Sequence, residues 1–302
     1  MPMLNFLKKT QASLSASSPE STGLRVVGDR ASGKTTYMAA LSYWPNAKPS
    51  SPIQTVNPIG DESKELVYMA ENILKQGLEL EPTGASQINA VQQSSASGIA
   101  DYSIQLTLKK QFSGGLTNII VNCKDYAGEF FSDLVQIPND PTLRKYMNDC
   151  KEAESILLMI DGTAYSRDSE YANSLDRFLV ALDQSGDPKQ RRIAFAVSKC
   201  EQLELWVNRH RPRFIAEARF EKVCKRLQAW EKMKSGKVDY FAVSAFGTIG
   251  NDFPEPNAIR LTRTEGGTTS ILKYPDNWRP FGLVSPLYWL CTGKRYKQLD
   301  ED

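Results

Sequence analysis

The sequence predicts an α/β protein with a three-layer, mostly parallel sheet and one antiparallel edge strand. Three observations carry this expectation. Apolar runs at Leu24–Val27, Ser155–Asp161, Arg192–Ser198 and Val238–Ser244 alternate with stretches of helical periodicity. A glycine-rich segment joins the first run to the first helix. One hairpin pattern, Tyr102–Leu108 and Thr117–Cys123 joined through Ser113–Gly114–Gly115, supplies the antiparallel strand.

The elements follow in order. Leu24–Val27 (LRVV) is a short buried strand, and Lys34–Trp44 is a helix stopped by Pro45. Residues 45–60 hold four prolines and read as loop. Asp61–Gln76 reads as an amphipathic helix, with Asp61 as N-cap and Leu66, Met69, Ile73 and Leu74 on one face. Residues 81–100, rich in Ser, Gln, Ala and Gly, read as mobile. The alternation in Tyr102–Leu108 marks a half-buried strand, and the continuous apolar run Ser155–Asp161 marks a central one. Ser169–Gln184 is helical. Residues 201–234 hold one or two helices that carry Leu205, Trp206, Phe214, Phe220, Val223, Leu227 and Trp230. Ile259–Leu272 suggests an added hairpin around Glu265–Gly266–Gly267, and Leu283–Cys291 a short terminal helix. The organisation is a tail over 1–22 and one domain over 23–302. That domain has an insertion at 45–101 and an extension at 249–302.

Composition excludes several classes. Of 302 residues, 41% are hydrophobic and 24% charged, enough apolar material for a large core without disulfides. A net charge of +2 gives no global field toward nucleic acid or an anionic membrane. Five scattered cysteines and one histidine, His210, argue against a zinc site and fit a reducing cytoplasm. No run reaches the roughly 18 apolar residues of a membrane span, and the first residues do not read as a signal peptide.

Gly28-Asp29-Arg30-Ala31-Ser32-Gly33-Lys34-Thr35 satisfies G-x-x-x-x-G-K-[ST] between a strand and a helix, the pattern of a P-loop NTPase. Gly28 and Gly33 let the backbone curl so that successive N–H groups face inward, and the helix that begins at Lys34–Thr35–Thr36 presents its positive end to phosphates. Lys34 supplies a point charge for the β- and γ-phosphates, and the Thr35 hydroxyl suits Mg2+. Arg30 is a bulky cation in the loop. It reads either as an arginine finger in cis or, preferred, as a solvated or acid-paired side chain.

Asp125-Tyr126-Ala127-Gly128-Glu129 follows the second hairpin strand. With the loop and hairpin before it, the chain resembles the Ras-like, TRAFAC-type GTPases. The resemblance implies that Asp125 holds magnesium through water and that the Gly128 N–H meets the γ-phosphate, a segment released when that phosphate leaves. Glu129 stands where many such GTPases have a water-orienting Gln, so slow or partner-dependent hydrolysis follows. Ser198-Lys199-Cys200-Glu201 resembles the [NT]-K-x-D guanine-reading motif, with Lys199 over the base and Glu201 accepting from guanine N–H donors. Ser244-Ala245-Phe246 resembles the S-A-K loop beside the base. For the γ-phosphate-sensing threonine, a further magnesium ligand, Thr83 is the best candidate, with Ser94–Ser97 as rivals and an ordinary loop threonine as an equal alternative.

GKTTYMAAL, the long insertion and the terminal PLYWL resemble bacterial double-GTPase proteins of conflict or defence systems. That implies a protein partner, a second GTPase or an effector. Leu287, Tyr288, Trp289 and Leu290 then read as a docking patch or, preferred, as a helix packed on the core. The leading function is a GTP/GDP-binding molecular switch. A P-loop ATPase or kinase, and a non-catalytic nucleotide-stabilised scaffold, are the alternatives.

Overall fold

The computed structural model describes residues 20–43, 53–64, 67, 68, 70, 99–109, 115–126, 129–184, 191–251, 254–262 and 268–300. The chain runs through β1 (Glu20–Thr22), β2 (Leu24–Val27), α1 (Lys34–Tyr43), β3 (Ile53–Ile59), β4 (Ile99–Lys109) and β5 (Leu116–Tyr126). It continues through α2 (Phe130–Gln136), α3 (Pro141–Glu152), β6 (Ser155–Asp161), α4 (Asp168–Asp183) and β7 (Arg191–Ser198). Then come α5 (Leu203–Trp206), α6 (Pro212–Arg219), α7 (Glu221–Lys232) and β8 (Gly236–Ala242). The extension holds β9 (Thr248–Ile249), β10 (Glu255–Pro256), the antiparallel pair β11 (Ala258–Thr262) and β12 (Thr268–Leu272), α8 (Ser285–Thr292) and α9 (Lys297–Asp300).

The expected α/β architecture is present. Strands β2, β6, β7 and β8 lie in that order, all parallel. A second four-stranded group has the order β1-β5-β4-β3. The two groups meet where β2 runs beside β5. The Tyr146 hydroxyl spans that seam, 2.8 Å from the Val26 carbonyl and 3.4 Å from that of Lys124.

Alternation along the strands divides the core in two. Ile156, Leu158 and Ile160 of β6 and Ile193, Phe195 and Val197 of β7 face α2, α3, α4 and α7. Leu157, Met159, Ala194 and Ala196 face α1 and α8. Leu287 and Leu290 are fully buried there, so the PLYWL segment is core. The Ser155 hydroxyl donates to the Leu290 carbonyl at 3.1 Å, and Tyr37 of α1 bonds the Leu283 carbonyl.

Two expectations need correction. Residues 45–60 are not all loop: Ile53–Ile59 is a strand, antiparallel to β4 from Ile53↔Leu108 to Ile59↔Ser103. Its Pro58 is tolerated because the strand is outermost, where a missing N–H breaks no inner ladder. The single antiparallel strand, β4, therefore lies inside the sheet, with β3 at the edge. Residues 201–234 hold three helices, not one or two.

Asp61 is itself the first helical residue, paired with Lys64 at 2.8 Å. Leu66, Met69, Ile73 and Leu74 lie outside the described residues. The start of that helix is pinned to β4, since the Ser63 hydroxyl accepts from the Ser103 N–H at 2.8 Å. No helix among the described residues is long and apolar enough to cross a membrane.

Candidate functional site

The parallel strands β2, β6, β7 and β8 share one carboxyl edge, and the loop that leaves each strand there carries the polar residues of interest. In open α/β sheets that edge is where ligands bind.

The loop after β2 is tightly wound. A Cβ on Gly28 would lie 2.3 Å from the Met159 carbonyl oxygen and 2.8 Å from Ser32 Oγ, so only glycine fits between the loop and β6. Two residues take positive φ, Gly33 at 89° and Ala31 at 62°. For Ala31 this is a left-handed conformation that glycine adopts more cheaply. The Lys34 ammonium lies back across the loop, 2.8 Å from the Gly28 carbonyl and 3.0 Å from that of Asp29, and is 6% exposed. The Ser32 hydroxyl is buried without a hydrogen-bond partner among the described residues. Thr35 and Thr36 are half-buried in the first turn of α1.

Asp29 does not face the hollow of the loop. Its Oδ1 accepts from the Phe131 N–H at 2.7 Å, and its Oδ2 pairs with Arg167 at 2.9 Å. Burial pushes the Asp29 carboxyl up; the Phe131 N–H, then Arg167, oppose it. Arg167 ends a 3₁₀ turn after β6, sits over the Tyr171 ring at 4.6 Å and also pairs with Glu170. No motif marked it; only the fold brings it beside residue 29. Glu129 is half-buried at the N-cap position of α2. Its carboxyl is pushed up by burial first and by Asp29 second, against the pull of Arg167 and Arg30. Arg30 is exposed, with no ion pair among the described residues.

The end of β7 meets the Gly28–Thr35 loop directly, and the end of β8 meets the segment that follows β7. Ser198 Oγ lies 2.7 Å from the Ser32 carbonyl and 3.2 Å from that of Ile160. Lys199 has φ 58°, and its ammonium is 2.5 Å from Asp161 Oδ2. Asp161 Oδ1 in turn accepts from the Thr163 N–H at 2.9 Å and from its hydroxyl at 2.7 Å. Glu201, 4% exposed, accepts from the Ser244 hydroxyl at 2.7 Å, and Ser244 Oγ accepts from the Gly247 N–H at 2.8 Å. The Ala245 carbonyl accepts from the Trp278 indole at 2.8 Å. Phe246 is buried in the core and offers no open ring face.

Asp161 and Thr163 were missed in the sequence because an Asp at a strand end has no pattern of its own. Asp125 lies in β5 opposite Ala100, since that strand runs three residues further than the apolar alternation suggested. The Asp125 side chain, Gly128, Thr83 and Ser94–Ser97 lie outside the described residues.

No known protein family matches the chain, and no curated protein does. Among solved structures it is similar to an ADP-ribosylation-factor-like GTP-binding protein, the small COPII coat GTPase SAR1 from Encephalitozoon cuniculi, in complex with GDP. Identity is 12%, the match covers 76% of this chain and 70% of that one, and the TM-score is 0.34. A likeness of that degree leaves the functional argument to the residues and their geometry.

Proposed function

We propose that the protein is a guanine-nucleotide-binding switch whose GTP hydrolysis is slow or depends on a partner. The observation that carries this reading is the Ser198–Ser32 hydrogen bond. It ties the residue pattern suited to guanine to the loop suited to phosphates, so one ligand could span both.

The phosphate end fits its group. The loop is wound too tightly for any side chain at position 28, Lys34 is already inside it, and a buried Ser32 hydroxyl lacks a partner among the described residues. Mg2+, held by Thr35 and Asp125 with Thr83 as a further candidate, would neutralise phosphate charge when bound. Lys34 would exchange its bonds to loop carbonyls for bonds to phosphate oxygens. Asp161, held by Thr163, sets the Lys199 side chain beside the base position. Glu129, its carboxyl raised by burial, would orient water. A second GTPase or an effector as partner, and a cytoplasmic setting in a bacterial multi-protein system, go with this reading.

Calorimetric titration of the whole chain with GTP, GDP, ATP and ADP in magnesium buffer tests it. Guanine nucleotides are expected to bind, and Lys34→Ala to weaken GTP by about 100-fold, the equivalent of ~2.7 kcal/mol. Binding of ATP and ADP alone would refute the guanine assignment. Unchanged affinity in Lys34→Ala would refute the site. A non-catalytic scaffold has one observation in its favour, the pair of carboxyls, Asp29 and Glu129, beside the loop. Single-turnover phosphate release no faster than from GTP in buffer would select it.

A further inference from the structure

The nucleotide reading leaves unused the segment from the end of α5 into the first turn of α6, Trp206–Phe214, which reads WVNRHRPRF. It borders β8, the outer strand of the parallel group. Two depressions lie side by side there and share Pro212 and Arg295. The inner one, of about 220 Å³, is lined by Arg209, His210, Phe281 and Asp300. The outer one is lined by Arg211, Arg213 and Phe214. Together they make a groove along the side of β8 that bonds to no other strand among the described residues.

The guanidinium groups of the groove sit over aromatic rings. Arg209 lies 3.9 Å from the Trp206 centroid, Arg211 4.6 Å from Phe214, Arg213 5.5 Å from Tyr240 and Arg295 3.9 Å from Phe241. A ring beneath a guanidinium holds it in place; Arg209 also donates through Nη1 to the Trp206 carbonyl at 3.1 Å, and its remaining N–H groups are left to donate elsewhere. The charges do not balance. Arg295 is paired with Asp239 and Asp300, and Arg213 with Glu217. Arg209 and Arg211 have no carboxylate partner among the described residues. Arg209 is also half-buried, and desolvation pulls its pKa down. A half-buried cation without a counter-charge favours an anion beside it. Beside these two cations, Val207 is 67% exposed and Phe214 48%.

We propose that this groove binds an acidic, partly apolar peptide segment of a partner protein. Carboxylates would meet Arg209 and Arg211, and an apolar side chain would lie against Val207 and Phe214. Nucleic acid suits the groove less well, because a guanidinium already covers one face of each of the four rings, which leaves less ring surface for bases to stack on. Two adjoining depressions also match an extended chain better than a compact anion. The inference stands independently of nucleotide binding.

Fluorescence anisotropy with the full chain tests it. The probe is a fluorescein-labelled decapeptide of glutamates with two phenylalanines; the comparators are its lysine counterpart and a ten-nucleotide oligo-dT. The glutamate peptide is expected to bind saturably and more tightly than either comparator. Arg211→Gln is expected to weaken it about tenfold, the double variant with Arg209→Gln still further, and the remote Arg226→Gln not at all. Arg211 is exposed, so its variant folds even where the double variant does not. Equal affinity in Arg211→Gln, no preference over the lysine peptide, or tighter binding of the oligonucleotide would each overturn the proposal.

Discussion

The Asp29 carboxylate accepts the backbone N–H of Phe131 at 2.7 Å, fastening the phosphate loop to the start of α2. The segment after Glu129 and the loop therefore move as one body unless that bond opens. Asp29→Ala is expected to lose about 2 kcal/mol of stability in urea unfolding, the usual cost of removing a charged acceptor from a buried donor. Asp29→Asn keeps an acceptor and should lose less. Arg167→Gln combined with Asp29→Asn should be non-additive by about 1 kcal/mol, because the two side chains pair at 2.9 Å. Full additivity would show that the pair carries no energy.

Gly28→Ala is expected to be the most damaging single-atom change in the loop. The new methyl would overlap the Met159 carbonyl, a backbone atom of the central strand that cannot yield. A loss of about 2 kcal/mol, with nucleotide binding gone, is expected by urea unfolding and calorimetry.

Ser198→Ala tests the brace between strand end and loop. It leaves the Ser32 carbonyl without its 2.7 Å donor and should cost about 1 kcal/mol of stability. Guanine-nucleotide affinity should fall by about tenfold, because the loop loses its lateral support. Unchanged affinity would mean that the loop holds its shape alone.

Stability should vary with pH through Glu201. Burial raises its carboxyl above the ordinary 4.5, with the Ser244 hydroxyl pulling the other way. Between 4.5 and the raised value the folded chain holds a proton that the unfolded chain has released. Its contribution is therefore complete below 4.5 and is lost as pH climbs through that window. Wild type is expected to gain stability relative to Glu201→Gln as pH falls from 7 toward 4.5, read from urea midpoints. A difference that does not change with pH would contradict this.

All five cysteines are free and buried. Burial pushes the Cys150 and Cys224 thiols up to about 12 and raises Cys200 as well. At pH 8 they stay protonated and out of reach, and the thiolate is the reactive form. Ellman's reagent is expected to titrate none in the native protein and all five in guanidinium chloride.

Much of the fold was legible because period is local information. The apolar runs of β6, β7 and β8 and the hairpin β4–β5 lie within a few residues of where their patterns put them. The helices α2 and α3 were also legible in principle. Asp140 caps Pro141–Glu152 by accepting from the Leu143 N–H, and Leu143, Tyr146, Met147 and Cys150 form its buried stripe. Strand β3 was hidden by Pro58 and by the prolines that precede it; a proline's meaning reverses at a sheet edge.

By itself, the sequence determined the α/β class, the order of the parallel strands' segments and the tight glycine-rich loop at Gly28–Thr35, because each is written in contiguous residues. The tertiary structure alone decided what surrounds that loop. Arg167 reaches Asp29 across 138 positions of chain by way of β6, Ser198 reaches Ser32 by way of β7, and Asp161 reaches Lys199 between adjacent strand ends. These contacts depend on which strands lie side by side and on the direction in which each loop leaves the sheet. Side-chain packing sets both, and no short window of sequence contains it.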